Sequence, residues 1–184
     1  MKNFLVIAAS LLLIACENSE SDIQALNSKA IQKDEAIKVE SFLSQGGKVK
    51  ARLTTPVMLR VSADTPYVEF PKTLHVDFYN DAKIVESRLD AKYGIYYERL
   101  DKVYLKDSVI VISIKGDTML CEDVWWDQNT QKFHSDKKTI VKSKAIPYYL
   151  AKDGFEASQD LKEKKFFNSS GKIVTEEGSL PGGQ

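Results

Sequence analysis

The clearest signal for the fold lies in residues 91–114, which read AKYGIYYERLDKVYLKDSVIVISI. Every second residue from Ala91 to Tyr97 is apolar, whereas Lys92 and Glu98 fall in the opposite phase. Successive side chains of a β-strand point to opposite faces of the sheet. This alternation therefore predicts a strand with one dry face and one solvated face.

The end of the same stretch, residues 109–114 (VIVISI), is apolar at nearly every position. Such a run is typical of a strand covered on both faces, so we expect it to be central in its sheet. Working outward, we find further segments rich in Val, Ile, Thr and aromatic residues, at 37–43, 48–53, 57–61, 73–79, 84–97, 103–114, 119–126, 132–135 and 139–142. Turn residues such as Gly46-Gly47 and Lys115-Gly116-Asp117 separate them, which predicts an all-β protein. The last third is less regular, and Phe166-Phe167 are expected to close a final strand.

A weak internal repeat runs through these segments. An apolar residue followed two positions later by a small one recurs at Leu53, Leu89, Met119 and Phe155. A shift of 30 residues also matches Tyr96 with Trp126 and Val103 with Phe133. Such a period favours a chain that adds similar β units in succession. The alternative is accidental matching, which any alternating chain offers.

The composition excludes one class of function. The chain has 184 residues, the size of one ordinary domain, with 26 basic and 26 acidic side chains. Proteins that bind nucleic acid neutralise phosphates with clustered Lys and Arg, and a balanced chain lacks that excess. We therefore expect no nucleic-acid partner.

The N-terminus predicts export. Residues 1–16 read MKNFLVIAASLLLIAC, with Lys2 followed by an apolar run shorter than the roughly 20 residues of a membrane span. The ending Leu13-Ile14-Ala15-Cys16 resembles the bacterial lipobox, which predicts a lipoprotein signal peptide at 1–15, lipidation of Cys16 and attachment to the membrane by an N-terminal lipid. The alternative is an ordinary secretory peptide with an incidental cysteine. We read residues 16–36 as a tether and 172–184 as a flexible tail, and expect Cys121 to be a small buried side chain.

Motifs of catalysis are missing from the sequence. It contains no GxSxG, HExxH or phosphate-binding glycine loop. The two histidines, His75 and His134, each precede an Asp by two residues and so share a strand face with it. Solvent-facing polar positions are the expected explanation, and a His/Asp dyad or two-ligand zinc clip is the alternative. We expect no enzymatic activity, no cofactor and no metal.

Longer motifs point to one family. Residues 67–72 (YVEFPK), 76–79 (VDFY), 87–98 (SRLDAKYGIYYE) and 154–161 (GFEASQDL), with Gly116-Asp117, Trp126-Asp127 and Ser135-Asp136 between them, are the relevant strings. Together they resemble LptC, the periplasmic component of the lipopolysaccharide export machine, in its Bacteroidetes-type form. The resemblance covers residues 37–171.

The resemblance implies a fold and a function. The fold is an open, twisted antiparallel β-jelly roll with an apolar interior trough, as in LptC, LptA and OstA. The function is lipopolysaccharide transport at the periplasmic face of the inner membrane: the trough accepts lipid from an ABC transporter (LptB, LptF, LptG) and passes it to an LptA-like periplasmic bridge, sheet edge to sheet edge. The apolar phase of the matched strands gives the expected lipid-binding residues Phe78, Ala91, Tyr93, Ile95, Tyr97, Val109, Val111, Trp126 and Phe155. The alternative function is a lipid-anchored β-sandwich with a structural or glycan-binding role.

Overall fold

The computed structural model describes residues 32–144 and 148–172. All of these residues except Gln32 belong to one compact unit, Lys33–Gln184. The predicted signal peptide, the lipidation site Cys16, most of the tether and nearly all of the predicted tail lie outside the described residues. No helix in the described part of the chain is both long and apolar enough to span a membrane.

The described residues form antiparallel β-strands and no helix, which confirms the all-β prediction. In chain order, the strands are β1 Gln32–Gln45, β2 Lys48–Ser62, β3 Tyr67–Phe70, β4 Leu74–Tyr79, β5 Val85–Ala91, β6 Tyr93–Tyr97, β7 Lys102–Ser113, β8 Thr118–Asp127, β9 Lys132–Ser135, β10 Thr139–Lys142, β11 Tyr148–Ala151, β12 Phe155–Ser158, β13 Lys164–Phe166 and β14 Ser169–Lys172. Each segment predicted from composition lies largely within one strand, except 84–97, which divides into β5 and β6 at Lys92. Segments 48–53 and 57–61, predicted separately, form the single strand β2. Four strands follow Lys142, and the expectation that Phe166-Phe167 close the final strand is wrong, because β13 ends at Phe166 and β14 follows it.

The sheet is a meander of long strands, several of them interrupted, in which each long strand pairs with the next along the chain. β3 and β4 both pair with β2, β5 and β6 both pair with β7, and β9 and β10 both pair with β8. β12 pairs with β9 on one edge and with β13 on the other. β11 pairs with β10 on one edge and with β14 on the other. Five long strands are therefore each interrupted in the middle, namely β3 with β4, β5 with β6, β9 with β10, β11 with β12, and β13 with β14.

The interruptions align across the sheet as a crease. In β7 the register shifts at Asp107 and Ser108, whose φ angles are 64° and 60°. Gly154 between β11 and β12 has a φ of 86°, and Asn168 between β13 and β14 has a φ of 45°. Residues with positive φ and register shifts bend a strand sharply. The crease therefore divides the sheet into two leaves. Leaf A consists of β4, β5, β10, β11, β14 and the parts of β2, β7 and β8 that pair with these strands. Leaf B consists of β3, β6, β9, β12, β13 and the parts of β2, β7 and β8 that pair with those strands.

The two leaves face each other. Gly94 lies on leaf B, and a Cβ placed there would lie 3.3 Å from Cδ2 of Leu74 on leaf A. Because β2 and β7 pair with strands of both leaves, the pairings of β2, β3, β6, β7, β5 and β4 close a ring across the crease. The apolar faces of both leaves thus contribute to one core.

Strand β7 is central, as its sequence predicts, because β5, β6 and β8 pair with it. On its inner face Val109 and Val111 are buried. The expectation that both faces are covered is wrong, since Ile110 and Ile112 on the outer face are half-buried and the following Ile114 is 64% exposed.

The 30-residue repeat corresponds to an advance of two strands. Leu89, Val111, Met119 and Val141 lie opposite one another in turn and form one buried row across leaf A. The shift of 30 residues relates Leu89 to Met119 and Val111 to Val141 within this row. Residues that are 30 positions apart in this row therefore lie on the same face of the sheet, and both enter the core.

Replacement of Gly154 tests the crease. A Cβ at Gly154 would lie 1.9 Å from the carbonyl oxygen of Ser135, so we expect Gly154→Ala to lower the free energy of unfolding by more than about 3 kcal/mol. Gly116 is the matched control, because its φ of 88° is similar but no atom lies within 4 Å of its added Cβ. Gly116→Ala should cost only about 1–2 kcal/mol. Urea unfolding followed by tryptophan fluorescence measures both, and equal losses would contradict the close approach at the crease.

Candidate functional site: an apolar cavity between the leaves

A cavity of about 510 Å³ lies between the inner faces of the two leaves. Its interior lining is apolar and comes from β1 to β8. The apolar lining residues are Ala36, Phe42, Leu43, Ala51, Leu53, Met58, Val68, Phe70, Leu74, Val76, Phe78, Leu89, Tyr96, Val103, Leu105 and Trp126. The volume and lining are those of a site for an apolar ligand.

Gly94 allows side chains of the two leaves to approach closely near the crease. Met58, Phe70, Gly94 and Leu105 occupy one line across leaf B, and Gly94 is the member without a side chain. A Cβ at Gly94 would lie 3.3–3.4 Å from atoms of Leu74, Phe70 and Leu105. A larger residue would therefore crowd side chains of both leaves at this point.

The rim of the cavity is polar. It includes Asp34, Glu35, Arg60, Glu98 and Gln128. The Arg60 side chain is 61% exposed, and its Nη2 donates a hydrogen bond to Oε1 of Glu98 at 2.8 Å. This hydrogen bond raises the pKa of Arg60. An apolar interior with a charged rim suits an amphiphilic molecule.

Aromatic rings close the cavity at one end. The Phe78 ring lies 5.1 Å from the Trp126 ring and 5.6 Å from the Phe133 ring, measured between centroids. The lining includes Phe78 and Trp126 but no described residue of β9 to β14. Beyond this aromatic wall, Phe133 and Phe155 are fully buried in a filled core.

The structure separates the nine predicted lipid-binding residues into three groups. Phe78 and Trp126 line the cavity. Ala91, Val109, Val111 and Phe155 are buried in the surrounding core without lining the cavity. Tyr93, Ile95 and Tyr97 lie on the outer face of leaf B.

The outer-face placement rests on direct contacts. Tyr93 Oη donates a hydrogen bond to Glu69 at 2.7 Å, and burial together with that bond raises the pKa of Tyr93. The Tyr97 ring stacks on the Trp125 ring with centroids 5.9 Å apart. Tyr96, between them and in the opposite phase, lines the cavity. Its hydroxyl donates a hydrogen bond to Oδ1 of Asp101 at 3.2 Å. Burial has the largest effect on the pKa of Tyr96 and raises it, and the negative charge of Asp101 raises it further.

The crease explains why the phase changes between β5 and β6. Ala91 is the last inward residue of β5 and Gly94 the first of β6, so two residues separate them. In β7 three residues separate the inward Leu105 from the inward Val109. An even number of intervening residues inverts the alternation and an odd number preserves it. Sequence reasoning missed Tyr96, Val68, Phe70, Leu74 and Leu105; the glycine inside the strand pattern at Gly94 was the available signal.

His75 belongs to a polar network on the outer face of leaf A. Its Nδ1 lies 2.8 Å from Oδ1 of Asp90. The neighbouring Asp77 carboxylate forms ion pairs with Arg52 at 2.7 Å and with Arg88 at 3.3 Å. Burial alone would raise the pKa of Asp77, but hydrogen bonds from Arg52 and His75 outweigh it and hold the pKa below its ordinary value. Among the described residues, no group of three or more His, Cys, Asp and Glu side chains is arranged to hold a metal ion.

Cys121 is buried on the inner face, as predicted. Burial raises the pKa of its thiol to about 12, so the thiolate that would act as a nucleophile is scarce at neutral pH. His134, the second histidine, is exposed on β9.

Comparison with known proteins adds no relative. No protein-family model matches the chain, and no curated protein is significantly similar to it.

Asp77 gives a prediction about pH. Its side chain is only 6% exposed, and we expect Asp77→Asn to lower the free energy of unfolding at neutral pH by about 2 kcal/mol, because hydrogen bonds to a charged group are lost. The depressed pKa means that this stabilisation is present above the unfolded-state pKa of about 3.9 and is lost as the pH falls through the folded-state value. The difference between Asp77→Asn and the parent chain should therefore shrink in acid.

Asp81 provides the control for this measurement. It is 67% exposed and pairs with Lys48 and Lys50 at the surface, so Asp81→Asn should change stability by less than about 1 kcal/mol. Urea unfolding at neutral and acid pH decides the matter. A pH-independent difference for Asp77→Asn would contradict the role given to its carboxylate.

Proposed function

We propose that this protein is an LptC-like carrier of lipopolysaccharide. The observation that carries the proposal is the apolar cavity enclosed by the two leaves of one folded antiparallel sheet, together with its polar rim. This arrangement fits an open, twisted β-jelly roll with an interior trough, the fold of the family that the sequence motifs resemble. We assign lipid binding to the cavity residues, with Phe78 and Trp126 at its closed end.

Physical chemistry supports an acyl chain as the ligand. Each CH₂ removed from water contributes about 0.8 kcal/mol, so a dozen of them contribute roughly 10 kcal/mol before the entropic cost of binding. The rim carries Asp34, Glu35 and Glu98 against Arg60. Because that rim is mainly acidic, phosphate groups of the lipid gain little there, and the acyl chains supply the affinity.

Unpaired sheet edges fit the proposed transfer between proteins. Within the described residues, β1 pairs only with β2, and β13 and β14 each pair with one strand. On β1, Ile37 and Phe42 are 69% and 57% exposed. Exposed edges of this kind accept strands of a partner. We propose that they join the LptB, LptF and LptG transporter on one side and an LptA-like bridge on the other.

Carriage of this kind needs no catalytic residue in the chain, because the ATPase of the transporter supplies the energy. A lipid on Cys16 would keep the carrier at the periplasmic face of the inner membrane. Two acyl chains suffice for stable anchoring of a protein to a bilayer.

Two adjacent tyrosines test the proposal. Tyr96 lines the cavity, whereas Tyr97 stacks on Trp125 at the outer face, and both are half-buried. We expect benzoylphenylalanine at position 96 to capture lipopolysaccharide when the full chain is incubated with the transporter in membranes and ATP, and not without ATP. The same probe at position 97 should capture at least tenfold less. Equal capture at the two positions, or capture independent of ATP, would overturn the carrier function.

A glycan-binding function is the second candidate. The Trp125 ring lies on the outer face between the Tyr97 ring, at 5.9 Å, and the Tyr104 ring, at 4.8 Å. Aromatic platforms beside Lys102, Asp127 and Lys132 are a chemistry that binds sugars.

The two tryptophans separate the candidates. In Trp125→Phe the remaining indole, Trp126, lines the cavity, and in Trp126→Phe the remaining indole is on the outer face. A carrier should show a fluorescence change with laurate only when Trp126 is present. Quenching of Trp125 by lipid-free lipopolysaccharide oligosaccharide, with no response of Trp126 to laurate, would favour the glycan-binding function instead.

A further inference from the structure

An aliphatic row crosses the outer face of leaf A. Its members lie directly opposite one another on four adjacent strands, so their side chains share the face of the sheet that points away from the core. They are Ile110 on β7, Leu120 on β8, Ile140 on β10 and Leu150 on β11, and each is half-buried. With strands about 4.8 Å apart, the row is about 15 Å long. We name these four residues the stripe.

Further apolar side chains extend this face beside the stripe. Ile112 on β7 is half-buried, Ile114 just after β7 is 64% exposed, and Tyr148 on β11 is 45% exposed. Every described strand is itself a member of the sheet, so none of them is left to form a second layer over the outer face. Contiguous apolar surface of this kind marks a site of association.

Exposed lysines border the stripe on both sides. Lys142 lies on the side away from the crease, and Lys138 and Lys152, next to the ends of β10 and β11, lie on the crease side. Each adjoins a buried inward residue, so the alternation of the strands places it on the outer face. The acidic residues beside the stripe are Glu122 and Asp90, and Asp90 is already engaged by His75. The border is therefore mainly positive.

The outer face of leaf B has a different chemistry. There the hydroxyls of Tyr93 and Tyr104 donate hydrogen bonds to the carboxylates of Glu69 at 2.7 Å and Asp123 at 3.2 Å. Carboxylates at a surface repel anionic groups. The combination of an aliphatic stripe with a cationic border therefore distinguishes leaf A from leaf B.

We infer that the stripe is the face by which this domain lies on a bilayer that contains anionic phospholipid. Aliphatic side chains enter the boundary between headgroups and acyl chains. Lysines keep their CH₂ stems against the apolar surface and extend their ammonium groups to the lipid phosphates. A protein partner fits less well, because Lys is depleted where two proteins bury apolar surface against each other.

The predicted anchor keeps the stripe within reach of such a bilayer. Gln32, where β1 begins, follows Cys16 by 16 residues, which span at most about 55 Å. A tethered domain needs only weak attraction to dock, because docking is then an intramolecular step. The inference rests on the proposed function in this respect alone, that a lipid on Cys16 holds the chain at a membrane.

Contact with spin-labelled lipid tests the inference. Tyr148→Cys and His134→Cys place a cysteine on the outer face of leaf A and of leaf B, while the buried Cys121 stays unlabelled. The lipidated chain, carrying nitrobenzoxadiazole at either position, is reconstituted into vesicles of phosphatidylcholine with one quarter phosphatidylglycerol. We expect spin-labelled phosphatidylcholine to quench the label at 148 and not the label at 134. Quenching at 148 should fall in vesicles of phosphatidylcholine alone.

Two isoleucines provide matched variants. Ile140→Glu puts a charge into the stripe and should abolish quenching at 148. Ile95→Glu makes the same change at a half-buried isoleucine on the outer face of leaf B and should have no effect. If circular dichroism shows that Ile140→Glu does not fold, Lys138→Gln with Lys142→Gln takes its place, and the docking equilibrium should weaken about fivefold for each lysine.

Equal quenching at 148 and 134, or quenching at 148 that survives a folded stripe variant, would overturn the inference. A label at 148 that is shielded from aqueous iodide yet unquenched by the lipid would also overturn it, and would assign the stripe to a second copy or another protein. A chain that does not float with the vesicles would overturn the anchor and the inference together. The carrier function is decided separately, by the capture of lipopolysaccharide at position 96.

Discussion

The bend of each long strand at the crease is the constraint on which the other features depend. A meander of this length would otherwise be an open sheet with one apolar face in water. Asp107 and Ser108 adopt positive φ in β7, and Gly154 brings neighbouring backbones into contact. These local conformations turn the apolar face of the sheet onto itself. The cavity and the aromatic wall both lie between the surfaces that this bend brings together.

Side-chain volume then divides the space between the leaves. On one side of the wall the inward positions include Ala51, Val68 and Val76, and the space is not filled. On the other side Phe133 and Phe155 leave no room. Protein cores are packed to high density, so an unfilled apolar region beside a filled one is a specific property of the sequence. One backbone arrangement thus contains both a core and a site.

The sequence predicts the strands well and the lining of the site only in part. Alternation and turn residues are local signals, and they place the strands through Lys142. The crease is not visible in that way, because one uninterrupted alternation from Ala91 to Tyr97 spans it. The two crease residues between β5 and β6 invert the phase, so the alternation predicts Tyr93 as a lining residue, whereas Tyr96 lines the cavity. The repeat of 30 residues carried this information, since β8 also has two crease residues, between Cys121 and Val124. The last strands were missed because their apolar residues are few and widely spaced.

The meander also constrains the order in which the chain acquires structure. Each long strand pairs with the next one along the chain, so a pairing has to close only a short turn, which favours faster folding than pairing between distant strands. Two side-chain contacts are exceptions. Ser87 Oγ donates a hydrogen bond to the carbonyl oxygen of Gln159, 72 residues away, and Gln131 Nε2 donates one to Oε1 of Gln45, 86 residues away. Closing so long a loop has an entropic cost until the intervening hairpins have shortened it. We therefore expect these contacts to form last, after both leaves are built.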